Sequence, residues 1–176
     1  MADTRPFSPV DVASMLRSAA ATFATEARNL PEPLLRWRPG ASEWCVKEVI
    51  GHIVESERRG FAGRIRIILA GDRPSLEGWD HAEVAAARKD DQRDAEELIV
   101  ELLRMREDSA TLVAALRPED LRRSGLHPKV GELTVADLLQ EWVFHDRNHL
   151  KQILSNVQAY VWPHMGNAQK FTTPSP

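Results

Sequence analysis

Glu141-Trp142-Val143-Phe144-His145-Asp146-Arg147-Asn148-His149-Leu150-Lys151-Gln152 is the stretch on which the reading of this chain turns. A helix advances about 100° per residue, so positions four apart lie only about 40° from one another around the axis. His145 and His149 therefore share one face. The same face carries apolar residues, because Leu138 and Trp142 precede His145 at helical spacing and Ile153 follows His149 one turn later. Two imidazoles thus stand inside a hydrophobic stripe. A buried polar ring without a partner costs about 1–3 kcal/mol, so each needs a hydrogen bond or a metal ion, and one ion serves both.

Upstream of this stretch, Thr134-Val135-Ala136-Asp137 reads as a capping residue with an acidic first turn, and the helix it opens continues to about Tyr160. Three further helices are predicted. Ser8-Pro9-Val10-Asp11 starts the first, whose apolar face is Val12, Met15, Leu16, Phe23 and Ala27 and which stops before Pro31. The second runs from about Val46 to Ala70 on Val46, Val49, Ile50, Ile53, Phe61, Ile65 and Ile68, and Gly71 ends it. The third is Ala95 to Leu116, faced by Leu98, Ile99, Leu102, Met105, Leu112 and Val113 and closed by Pro118. Pro31 to Trp44 is rich in proline and reads as an ordered connection that packs Leu34, Leu35 and Trp37 onto the body. Gly71 to Asp80 reads as a long loop before helical composition resumes near Ala82, and a crossover of this length can join helices that are not antiparallel neighbours. Almost nothing alternates at the period of a strand. The expected fold is all-α, a four-helix bundle over residues 1–162 with a long crossover between helices two and three, then a C-terminal tail over 163–176.

Composition fits one globular domain: 176 residues, 43% apolar and 28% charged. A formal charge of −3 gives no basic footprint, so nucleic acid is not an expected partner. Met1 to Pro6 contains no export signal and no later run reaches bilayer-spanning length, so the expectation is a cytoplasmic protein without a membrane partner. Cys45 is the only cysteine, which excludes an internal disulfide and a thiolate cluster. Any metal must be held by nitrogen and oxygen.

A lone HxxxH pair is more often two satisfied core histidines than a metal site, and Asp146 stands where the zinc-protease pattern HExxH requires glutamate. A third candidate ligand is His52, between Val49 and Ile53 at the edge of the second helix's stripe. Three neutral imidazoles with one open position form a catalytic arrangement, and nitrogen-rich sites suit zinc, nickel, copper or iron. His81 follows Trp79-Asp80 in a loop, His127 precedes Pro128 and His164 follows Pro163, so these three read as surface or turn residues.

Four segments together resemble the DinB/YfiT-like metalloenzyme superfamily: Trp37-x-Pro39, Trp44-Cys45-Val46-Lys47-Glu48-Val49-Ile50-Gly51-His52-Ile53, Gly131-x-Leu133-Thr134-Val135-x-x-Leu138-Leu139, and His145-Asp146-x-x-His149-Leu150-x-Gln152-Ile153. The resemblance covers about Ser8 to Val157. It implies a four-helix bundle with a long crossover, one divalent ion on His52, His145 and His149, and frequently a homodimer. Zinc or nickel is the first expectation for the ion, with iron or manganese compatible. It also implies a small-molecule substrate and either hydrolysis or S-transfer with a low-molecular-weight thiol. One departure is Cys45, at a position often held by serine or threonine. A thiol caps poorly, so Ser42 is the expected substitute cap or the helix end frays. Cys45 lies seven residues before His52 on one face, which leaves a redox or ligand role open beside packing as a small apolar residue.

Other side chains near the histidines have candidate roles. Glu48 and Glu55 flank His52 on its helix and are candidates to orient its ring or carry a proton, against the simpler reading as a solvated helix face. Gln152 and Trp142 are candidates for contact with substrate. Asp146 points about 100° away from His145 and is a candidate interhelical partner for an arginine. No GxSxG elbow, phosphate loop or dinucleotide fingerprint is present. Two classes remain: a catalytic metal centre, or a non-catalytic metal-binding bundle with a structural or stress-related role. The first is favoured because structural zinc sites close all four positions with protein side chains.

Overall fold

The computed structural model describes residues 4–172. Ser8 opens α1 (Pro9–Asn29) with a capping box, its Oγ accepting from the Asp11 N–H at 3.2 Å while the Asp11 carboxylate accepts from the Ser8 N–H at 3.1 Å. Thr134 and Asp137 repeat the device at the start of α7 (Val135–Val161), at 3.0 and 2.9 Å. Asp94 caps α6 (Ala95–Ala114). These three helices and a broken fourth, α3 (Val46–Glu55) with α4 (Ala62–Ala70), form the bundle. A five-residue helix, α2 (Glu32–Arg36), lies inside the connection expected to be a loop, and α5 (His81–Arg88) follows the crossover. Among the described residues no helix is long and apolar enough to cross a membrane.

The structure corrects the expected continuous second helix. Between α3 and α4 the Phe61 N–H donates to the Ser56 carbonyl at 2.8 Å, five residues back, closing a π turn over Ser56–Gly60. Gly63 makes the turn fit, since a Cβ there would stand 2.1 Å from the Arg58 carbonyl oxygen. One extra residue in a turn shifts the phase of the helix by about 100°.

A second correction concerns strands. Ser124–His127 (β1) and Gly131–Thr134 (β2) pair antiparallel, with Gly131 at φ +79° leading out of the turn. Four-residue strands are too short to display an alternating pattern in the sequence. The hairpin anchors the crossover: the Leu76 N–H donates to the Leu126 carbonyl at 2.8 Å, and the Leu126 N–H to the Pro74 carbonyl at 2.9 Å. Beyond α7, residues 162–164 and 166–171 continue as 3₁₀ turns where the tail was expected, and residues 173–176 lie outside the described ones.

The apolar core falls into two halves. Val12, Leu16, Phe61, Ile65, Ile68, Val113, Leu138 and Trp142 fill one. Phe23, Val49, Ile50, Ile53, Leu98, Leu102, Leu150 and Ile153 fill the other. Between the sequence positions of these halves, three of the four bundle helices contribute polar residues that are nevertheless buried: Ser56 and Glu57 from the π turn between α3 and α4, Arg106 and Ser109 from α6, Asp146 from α7. Ion pairing makes that layer tolerable. Arg106 donates to both oxygens of Asp146, with Nη2 at 3.2 Å from Oδ1, and its Nε lies 2.6 Å from Glu57 Oε1 in a charge contact that lacks linear hydrogen-bond geometry.

Candidate metal centre

Helix α3 is buried along its whole length, because α5 and the turn Asp90–Gln92 cover the side that the sequence left to solvent. Gly51 permits this: a Cβ there would fall 1.7 Å from Asp90 Oδ2. Helices α3 and α7 meet with His52 facing His145 and His149, and one nitrogen from each of the three rings lies within 4.8 Å of the others. His52 Nε2 and His145 Nε2 are 3.0 Å apart. Ligands 2.0–2.1 Å from a tetrahedral zinc-like ion are separated by about 3.3 Å, so this pair needs only a small spread to hold one.

The protonation chemistry agrees with that donor set. Burial, then the charges of the neighbouring imidazoles, drive the His52 pKa down to about 2. Burial, then His145, drives His149 down to about 4. Both rings are therefore neutral at neutral pH and offer lone pairs, the form a metal requires. Gln152 Oε1 accepts from His149 Nδ1 at 2.8 Å, which leaves Nε2 of that ring as the free donor atom. His52 Nδ1 and His145 Nδ1 are buried without a hydrogen-bond partner, and Asp146 Oδ1 stands 4.0 Å from the latter. Burial opposes ionisation of Asp146, yet Arg106 and His145 hold its pKa below the usual carboxylate value. Glu57 behaves oppositely: burial raises its pKa although Arg106 is beside it.

Several residues stand elsewhere than the sequence suggested. Glu48 is occupied at the start of α3, where Oε2 accepts from the Cys45 N–H at 2.9 Å and Oε1 from Arg38 at 2.7 Å. That carboxylate, and not Ser42, closes the helix end. Glu55 is held by Arg58, by Arg59 at 2.6 Å and by Arg88 at 2.7 Å. Neither glutamate hydrogen-bonds a histidine, so the carboxylate next to the cluster is Asp146. Trp142 is in the core, 1% exposed and stacked on Phe61 at 5.0 Å, which is no place for substrate contact. Gln152 Oε1 is engaged by His149. Cys45 is fully buried and burial lifts its pKa to about 11, the behaviour of a small apolar residue and not of a thiolate.

Other residues at the cluster escaped the sequence reading. Ser56 Oγ lies 3.4 Å from His52 Nε2 and 3.5 Å from His145 Nε2; its position one turn after His52 was the available signal. The Trp44 ring sits 4.8 Å from that of His52. Trp79 and His81 come from the crossover, with the His81 ring 5.2 Å from His52 and 4.1 Å from Trp79. Asp80 fixes His81 as the first residue of α5 by accepting from the Ala82 and Glu83 N–H groups. Thus His81 is a surface residue that leans over the cluster. His52 is buried and the other two rings are half-buried, so the centre opens on one side, rimmed by Trp44, Trp79 and His81.

Comparison with known proteins places these observations in a family. The sequence profile of the DinB superfamily matches residues 15–153. A protein of Bacillus mycoides named "Putative metal-dependent hydrolase" is 24% identical over 119 residues, 68% of either chain. A Bacillus cereus protein of the same name is 25% identical over the same length and share. The solved structure of YfiT from Bacillus subtilis, described as a probable metal-dependent hydrolase with an unusual four-helix bundle topology, superposes with a TM-score of 0.80 at 16% identity, covering 90% of this chain and 92% of that one.

Proposed function

The chain belongs to the DinB superfamily, and we propose that it is a metal-dependent hydrolase of a small molecule, with one divalent ion on His52, His145 and His149. The observation that carries this reading is the convergence of three imidazole nitrogens within 4.8 Å, two of the rings kept neutral by burial. Such an ion, when bound, polarises an oxygen of the substrate and acidifies a water or thiol beside it. The chain's own residues do the rest. Gln152 fixes the His149 tautomer, Arg106 anchors Asp146 beside His145, and Ser56 Oγ offers a buried hydroxyl beside His52 and His145. The aromatic rim of Trp44 and Trp79 limits water on the open side. Three side-chain ligands leave a position free, which favours catalysis over a purely structural ion.

The test measures metal content of the purified protein and of alanine variants at all six histidines. His52→Ala, His145→Ala and His149→Ala are expected to lose the ion, whereas His81→Ala, His127→Ala and His164→Ala retain it. Full occupancy in any of the first three overturns the assignment. Elemental analysis decides between zinc and nickel, and assays with and without an added low-molecular-weight thiol separate hydrolysis from S-transfer. Assembly as a cytoplasmic homodimer belongs to the same reading. It is supported by the apolar side chains that α7 leaves outside the core at Phe144, Leu154 and Val161, and is checked by sedimentation.

A further inference from the structure

Arg64 lies on α4 three residues after Phe61, and the Phe61 ring touches His145 at a centroid distance of 5.0 Å. Arg64 therefore stands one helical turn along α4 from Phe61, and its charge acts on His81, whose ring lies 5.2 Å from that of His52. Unlike Arg17, Arg28, Arg38, Arg58, Arg88 and Arg106, it forms no salt bridge with any carboxylate among the described residues. Its Nη2 donates only to neutral acceptors, the Glu77 carbonyl at 3.3 Å and His127 Nε2 at 3.0 Å, and its Nε is buried with no partner. Glu141, one turn before His145, is the carboxylate whose charge acts on it, and it remains exposed to solvent without forming a salt bridge to it.

His81, His127 and Lys129 share the neighbourhood of Arg64. Burial first, and then neighbouring charges that include Arg64 and Lys129, lower the pKa of both histidines and keep them uncharged, so neither supplies Arg64 with an anion. Four segments converge there, α4 with Arg64, the crossover with Glu77 and Trp79, the start of α5 with His81, and β1 with His127. A half-buried guanidinium that satisfies itself on neutral atoms and leaves an N–H empty lacks the one partner that offsets its desolvation, a planar oxyanion.

We infer that Arg64 is a specificity-determining residue that binds an oxyanion, a carboxylate or phosphate carried by the substrate, beside the three-histidine cluster. The inference rests on the functional reading above for the word substrate, but the oxyanion site itself is testable without metal. The Arg64 Nε–H signal is followed by ¹H–¹⁵N NMR while inorganic phosphate, and separately acetate, is added to metal-stripped protein and to zinc-loaded protein. Saturable shifts of that signal are expected in both forms, with the tighter of the two probes naming the oxyanion class. Arg64→Gln, titrated alongside wild type and read through intrinsic tryptophan fluorescence, is expected to bind roughly ten- to a hundredfold more weakly. Arg64→Lys, which keeps the charge and loses the fork, is expected to fall between them. Unchanged metal content and an unchanged melting curve in these variants show that the fold and the histidine cluster are intact. If wild type shows no saturable shift, or if Arg64→Gln binds as wild type does, the inference is wrong. If the oxyanion binds and zinc does not, the metal-centre reading fails while the oxyanion site stands.

Discussion

Arg106→Met tests the buried charged layer most directly. Arg106 is 1% exposed and, among the described residues, is the only arginine or lysine paired with Glu57 and Asp146, whose side chains are 0% and 2% exposed. Methionine matches much of the arginine stem in volume, so the substitution removes charge with little cavity. It leaves two buried carboxylates with no cation between them. Breaking a buried pair by removing one partner costs about 3–5 kcal/mol. For a domain of this size each kcal/mol lowers the melting temperature by about 2–4 °C, so the expected fall is about 6–20 °C. The sign with pH is fixed by the carboxylates. In the wild type Asp146 has a depressed pKa, so its contribution is present above the unfolded value and lost as pH falls. In the variant both folded pKa values rise, so the deficit is greatest at neutral pH and shrinks as pH falls toward about 5 and the carboxylates take up protons. Adding Glu57→Gln is expected to restore part of the loss. Thermal melts by circular dichroism across pH measure all of this. A loss below about 1 kcal/mol that is flat with pH would refute the reasoning, because it would mean that water already screens the layer.

Gln152→Leu removes the acceptor that orients His149, and its metal affinity, read by competition with a chelator, is expected to drop about 10–100-fold while the melting curve of the metal-free protein stays close to wild type. The metal-free protein should itself lose stability as pH falls below about 6.5. The folded pKa values of His52, about 2, and His149, about 4, lie below the unfolded one, so the unfolded chain takes up protons first. Melting temperatures that stay constant from neutral pH down to the His149 value would show that these rings are not buried neutral.

How much was legible in the sequence follows from the range of each interaction. The four helical stripes, the Ser8 and Thr134 caps and the sharing of one face by His145 and His149 are short-range facts, set by a 3.6-residue period and by side chains reaching three residues along their own helix. Asp146 could be recognised as a partner for an arginine because its position, 100° from His145, turns it toward another helix; that the arginine is Arg106 depends on how α6 packs. The π turn was invisible because one added residue changes no composition and only re-phases the stripe.

Glu48 and Glu55 were misread for a related reason. Their sequence positions are those of a solvated edge, and only the return of the chain through α5 and Asp90, admitted by Gly51, buries that edge and supplies Arg88. Trp79 and His81 stand over the cluster, and His127 beside Arg64, because the crossover is tied to a hairpin more than forty residues later, through two backbone hydrogen bonds that involve no side chain. The sequence by itself determined the helices and nominated the histidines, since both depend on local periodicity. The tertiary structure alone decided which carboxylate stands beside them and what rims the open side, since those follow from where distant segments meet.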